Sequence, residues 1–172
     1  MKIMPINKMT KLSNNTESGT NNFSLDSLMP LIKEQLASGK SVKFSPHGVS
    51  MLPMIRQGID SIILSPLPKK LKKYDIPLYQ RDSGQYVLHR IVAVENDSYI
   101  CMGDNQFTAE YNLRHDQMIA VVTEFYRGKK KYSVTDIRYQ LYCRGWYYSR
   151  SIRHFWRRGI GWLKRHLRGQ PR

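Results

Sequence analysis

The sequence predicts a mainly β domain preceded by one short helix and followed by a basic helical tail, and three observations lead there. Between Ser41 and Thr135 the apolar residues fall in short, alternating or β-branched runs separated by glycine-containing turns. The segments Ser24 to Ala37 and Ile137 onward change to helical spacing. Finally, 14 of the 28 Lys and Arg residues lie from Arg127 onward, opposed there by Asp136 alone.

A chain of 172 residues suits one core with tails. Its 41% hydrophobic and 24% charged content is that of an ordinary soluble domain, which excludes wholesale disorder and a membrane bundle. Cys101 and Cys143 have neither metal-knuckle nor redox spacing, so a reducing compartment is expected. No signal-peptide core and no apolar run of about 18 residues is present, so the expected location is cytoplasmic or peripheral at a membrane surface.

Residues 1–23 contain SNNTESGTNN, too polar to repay the entropy of ordering, and are expected to form a flexible arm. Leu25, Leu28, Ile32 and Leu36 give one helix with Ser24 or Ser27 as N-cap, Pro30 near the first turn and Gly39 as stop. Strands are predicted at Val42 to Phe44, Ser61 to Ser65, Tyr86 to Val94 as one long strand, Tyr99 to Met102, Met118 to Phe125 and Tyr132 to Thr135. Arg127-Gly128-Lys129-Lys130 is the hairpin joining the last two.

In the tail, Leu141, Tyr148, Ile152, Phe155, Trp156, Ile160, Leu163 and Leu167 fall near one face with arginines opposite, the helix breaking near Gly145 or Gly159. The organisation expected is an arm at 1–23, a domain at 24–136 and a separable tail at 137–172, so that truncation after Thr135 leaves the domain folded.

Three segments carry candidate chemistry. In Gly48-Val49-Ser50-Met51-Leu52-Pro53, Gly48 permits close backbone approach and Pro53 suits the first turn of a short helix. Ser50 would then stand where backbone N–H groups point outward and stabilise an oxyanion; the alternative is a serine that caps the turn. In Tyr86 to Val92, alternation places Val87, His89, Ile91 and Ala93 on one strand face. Dehydration there favours a neutral imidazole, the form a general base needs, although a core histidine bonded to a backbone carbonyl gives the same pattern. The third segment is Gly103-Asp104-Asn105.

GVSMLP, VLHRIV and GDN, in this order and at these separations, resemble the signature boxes of the signal peptidase I and LexA superfamily of serine peptidases. The resemblance spans about residues 41 to 125, with Lys73-Tyr74-Asp75-Ile76 similar to the family's Lys-Gly-Asp-Ile/Val step and Gln117 to Thr123 similar to its last core strand. It implies a fold of coiled antiparallel β-sheets and a serine endopeptidase that cleaves a peptide or preprotein after small residues.

By that resemblance Ser50 is the nucleophile, and His89 stands where bacterial signal peptidases and LexA carry a lysine base. The pattern therefore looks like the histidine variety found in endoplasmic-reticulum, archaeal and sporulation signal peptidases. An acidic residue six positions beyond the GDN aspartate orients the base in that variety, which lands on Glu110, with Asp104 as the competing candidate. Arg90 takes a supporting role, pairing with a carboxylate for which Asp104 is the natural partner. Gly48 stands where many relatives have a hydroxyl, so oxyanion support is expected from the backbone at Gly48, Ser50 and Met51.

No cofactor is implied, and a metal site from His47, His89 and His115 lacks ligand spacing. The lysines of Lys69 to Lys73 read as a solvated loop. A self-cleaving repressor does not fit, because residues 1 to 40 offer one short helix and no Ala-Gly step precedes Ser50. In place of the signal peptidases' N-terminal anchor, the tail offers Trp146, Phe155, Trp156, Trp162, Arg157 and Arg158 as a surface for an anionic membrane or another partner. The rival reading is a nucleic-acid-binding or catalytically idle scaffold, with Trp146, Tyr147 and Tyr148 stacking on bases and arginines of 144–168 meeting phosphates.

Overall fold

The computed structural model describes residues 4–5 and 25–156. It is mainly β, built in the order β1 (Met4–Pro5), α1 (Leu25–Ala37), β2 (Val42–Phe44), β3 (Asp60–Ser65), β4 (Pro77–Gln80), β5 (Tyr86–Leu88), β6 (Arg90–Glu95), β7 (Ser98–Met102), β8 (Glu110–Arg114), β9 (Met118–Arg127), β10 (Lys130–Ser133) and α2 (Ile137–Tyr148). Helical backbone resumes at 150–156.

In α1 the apolar spacing is realised as burial of Met29, Ile32 and Leu36, while Pro30 lies on the exposed side. The helix begins at Leu25, which puts Ser27 inside it. Gly39, at φ +75°, ends it: its N–H reaches Leu36 O and that of Lys40 reaches Gln35 O, so the last carbonyls are satisfied.

The larger sheet runs β1-β2-β3-β9-β4-β5, with β10 also on β9; every pairing in it is antiparallel except β1 with β2. β9 is its spine, pairing β3 along one edge and β4 and then β10 along the other. The smaller sheet is β6-β7-β8, also antiparallel.

The predicted single strand from Tyr86 to Val94 is two strands. β5 ends the larger sheet, β6 begins the smaller one, and His89 is the residue between them. Alternation survives that junction: Val87 and Ile91 both enter the apolar cluster between the sheets, with Tyr79, Tyr99, Cys101 and Leu113. Ala93 leaves that face because the β6–β7 register shifts between Ile91 and Ala93.

Other expectations change for local reasons. No helix starts at Pro53; residues 50–54 form turns around a cis Leu52–Pro53 bond, with Met51, Met54 and Ile55 anchored in the main core. β4, unpredicted, is short, begins with a proline and is buried on both faces, so it has no alternation to read. β8 was hidden because Leu113 is its one buried residue and Asn112 turns to φ +56°.

The boundary drawn at residue 136 cuts through the core. Tyr139 and Cys143 of α2 are buried in the same cluster as Met29, Ile32, Leu64 and Val122, so at least the first part of the tail is a structural element of the domain. Among the described residues no helix is long and apolar enough to cross a membrane.

Candidate active site

His89 is 3% exposed, and its position at the sheet junction gives its two sides different surroundings. Its Nδ1 lies 3.1 Å from Glu110 Oε1 and 3.2 Å from the Tyr79 hydroxyl. Glu110 opens β8, directly across from Cys101 of β7. Arg81, just beyond β4, clasps it from the far side, Nη2 to Oε1 at 2.6 Å and Nε to Oε2 at 2.8 Å. The Tyr79 hydroxyl adds its pull on the same carboxylate. The far nitrogen of the imidazole therefore faces a carboxylate that two other side chains hold in place.

Burial holds the His89 imidazole below its ordinary value, and the Arg81 charge adds to this against the opposing pull of Glu110. Burial raises Glu110, but the hydrogen bonds from Arg81 and Tyr79 and the Arg81 charge outweigh it and keep the carboxyl below its ordinary range. The stable combination near neutrality is a neutral imidazole beside a charged carboxylate, which fixes the proton of that imidazole on Nδ1 and leaves Nε2 as an acceptor. Among the described residues Nε2 has no hydrogen-bond partner.

Asp104 is placed elsewhere. It pairs Arg90 through both oxygens, at 2.8 and 2.7 Å, with both side chains buried. Arg90 Nη1 further donates to Tyr74 O, the Tyr139 hydroxyl and Cys143 Sγ. This buried pair is tolerable because its donors are used, and its partners tie β6, the loop after β7 and α2 together. Tyr74 accepts that role at φ +79°, in the left-handed region glycine adopts freely.

Ser50 reaches the same neighbourhood through backbone. The N–H of Asn105 donates to Ser50 O at 2.8 Å, and Asn105 Nδ2 donates to Val49 O at 3.2 Å. Gly103 is required by this contact, since a Cβ there would stand 2.7 Å from Ser50 O. β6 and β7 pair Arg90 with Met102 at the end of their register, so His89 and Gly103 each lie one residue beyond a paired position. Gly103 therefore adjoins both the Ser50 turn and the end of the β6–β7 ladder, beyond which His89 lies.

Ser50 is partly exposed, and no hydrogen bond joins its Oγ to His89. The N–H groups of Ser50 and Met51 also have no acceptor among the described residues. Gly48, at φ +105°, uses its N–H on Gln57 Oε1, so it is committed to the turn. Among the described residues no group of three or more His, Cys, Asp or Glu side chains is arranged to hold a metal ion. His115 instead pairs with Tyr99 through Nδ1.

Of the surface residues expected in the tail, Trp146 is turned inward. Its indole N–H donates to Asp104 O at 2.9 Å, the Arg153 guanidinium lies 3.5 Å from its ring centre, and Tyr142 stacks on it. A ring so covered offers no stacking platform. Phe155 and Trp156 are exposed; Arg157, Arg158 and Trp162 lie outside the described residues.

Sequence reasoning missed Tyr79 and Arg81. Both follow from β4, and the signal that was present is the step of two between them with Asp82-Ser83-Gly84 closing the hairpin behind. Compared with known proteins, the chain matches no family model, no curated protein and no solved structure.

Proposed function

We propose that this protein is a serine endopeptidase in which Ser50 is the nucleophile, His89 the general base and Glu110 the carboxylate that orients it. The observation that carries the reading is the buried imidazole whose Nδ1 faces an Arg81-clamped Glu110 while Nε2 is left open. The resemblance of GVSMLP, VLHRIV and GDN to the histidine variety of the signal peptidase I and LexA superfamily adds the substrate class, a peptide with small residues before the scissile bond.

In the reaction, His89 Nε2 takes the Ser50 Oγ proton as Oγ bonds to the peptide carbonyl carbon. The oxyanion formed is met by the unclaimed N–H groups of Ser50 and Met51. As the carbonyl re-forms, the C–N bond breaks and His89 gives the proton to the leaving amine. Water then loses a proton to His89 as it attacks the acyl ester carbon, the C–Oγ bond breaks, and Oγ takes the proton back from His89. Glu110 stabilises the imidazolium in each half and stays ionised. A nucleophile–base contact that is open without substrate is common in such sites and tightens when substrate binds.

The test is labelling by a serine-directed fluorophosphonate together with cleavage of peptides carrying small residues before the scissile bond. Labelling of the native protein at Ser50, lost in Ser50→Ala, with a fall in cleavage of about 10⁴-fold in both Ser50→Ala and His89→Ala, is the expected result. Undiminished cleavage by pure Ser50→Ala refutes it.

A further inference from the structure

The C-terminal helix is apolar on two opposite sides. Its inner side, with Tyr139, Cys143 and Trp146, is packed on the domain. At 3.6 residues per turn, Ile137, Leu141, Tyr148, Ile152 and Phe155 fall within about 60° of one another on the far side, with Trp156 adjoining. Ser149 does not interrupt this stripe, because its αR backbone and the bonds Ser149 N–H to Gly145 O and Arg153 N–H to Ser149 O carry the helical path through. These six residues are between 61% and 77% exposed. Single exposed apolar side chains are ordinary, but a continuous outer stripe on a helix already seated by its other side is not.

Charge decides what fits it. Arg138 and Arg144 are exposed beside the stripe, and the chain from Arg127 to its end carries 14 Lys and Arg against Asp136. A second copy would bring two cationic rims together. Nucleic acid would satisfy the cations yet leave Ile137, Leu141 and Ile152 against water or phosphate. An anionic lipid surface accepts both, the stripe entering the headgroup boundary and the arginines meeting lipid phosphates.

We infer that the outward face of the helix from Ile137 to Trp156 is a docking surface for anionic membrane. The inference is independent of the peptidase reading. It also places the membrane on the element whose inner side holds Asp104 O through Trp146, and so next to the loop that grips Ser50.

The experiment is co-sedimentation of the full chain with mixed phosphatidylcholine–phosphatidylglycerol vesicles, with pure phosphatidylcholine vesicles in parallel. Binding to the mixed vesicles, weakened by salt and absent with the neutral ones, is expected, together with at least a tenfold loss in the variant Leu141→Asp/Ile152→Asp. Thermal melting verifies that this variant is folded, and Phe155→Ser, at the most exposed of the six, tests the face again if it is not. Failure of the native chain to bind anionic vesicles overturns the inference. So does equal binding by the folded variants, or a native dimer in solution that the same substitutions dissociate.

Discussion

Glu110 Oε1 stands 3.1 Å from His89 Nδ1 while the same carboxylate is held through both oxygens by Arg81. The imidazole thus meets a carboxylate that cannot turn away. Glu110→Gln keeps the shape but removes the charge that stabilises the imidazolium, so we expect kcat for peptide cleavage to fall about 10²-fold or more, with KM and the melting temperature little changed.

Asp104→Asn should separate from this. It leaves the buried Arg90 guanidinium without its counter-charge, and breaking a buried pair costs about 3–5 kcal/mol. A denaturant midpoint equal to that of the native protein would contradict the structural role assigned to Asp104.

Because the base must be neutral, kcat/KM is expected to rise with pH and level off with an inflection below the ordinary histidine value of 6.5. The stability sign is the same. The native imidazole binds fewer protons than the unfolded one, so its contribution is fully present above the unfolded value and is lost as pH falls through the folded one. Arg81→Met removes a charge that lowers His89 and should move the kinetic inflection upward. An inflection that stays in place or moves down would show that Arg81 does not act on the base.

Tyr79 is fully buried, its hydroxyl lies 3.2 Å from His89 Nδ1, and it helps to keep the Glu110 carboxyl low. Tyr79→Phe keeps the ring in the inter-sheet cluster and deletes only a hydrogen bond to a charged group, an interaction of about 1.5–3 kcal/mol. We expect a tenfold or greater loss in kcat with KM retained. A loss confined to thermal stability would make Tyr79 a core residue and nothing more.

Truncation after Thr135 removes Tyr139 and Cys143 from the main cluster and two acceptors from Arg90. The shortened chain is expected to lose cooperative unfolding by circular dichroism; a normal melt would mean that the domain stands without α2.

What the sequence made legible was what repeats locally. The helix ending at Gly39 and the common inward side of Val87 and Ile91 were readable because spacing alone specifies them. Contacts made at long range were not. That Arg81 meets Glu110, or that Trp146 meets the Asp104 carbonyl, depends on how β4 is placed against β8 and how α2 is placed on the domain, neither of which has a local signature. The tail misled for a related reason. A helix with apolar residues on both sides has weak periodicity, so the outer stripe was readable while the inner face with Tyr139 and Cys143 was not.

The pairing of β9 along both edges has a kinetic consequence. Its amides from Val121 to Arg127 are shielded by neighbours on either side, so deuterium enters them only when the larger sheet opens as a whole. The smaller sheet has just three strands, so fewer of its amides are shielded along both edges, and His89 is the residue between the two sheets. Solvent isotope should therefore reach β7 and β8 well before β9, and anything that clamps the His89 junction should slow the first uptake while leaving the second unchanged.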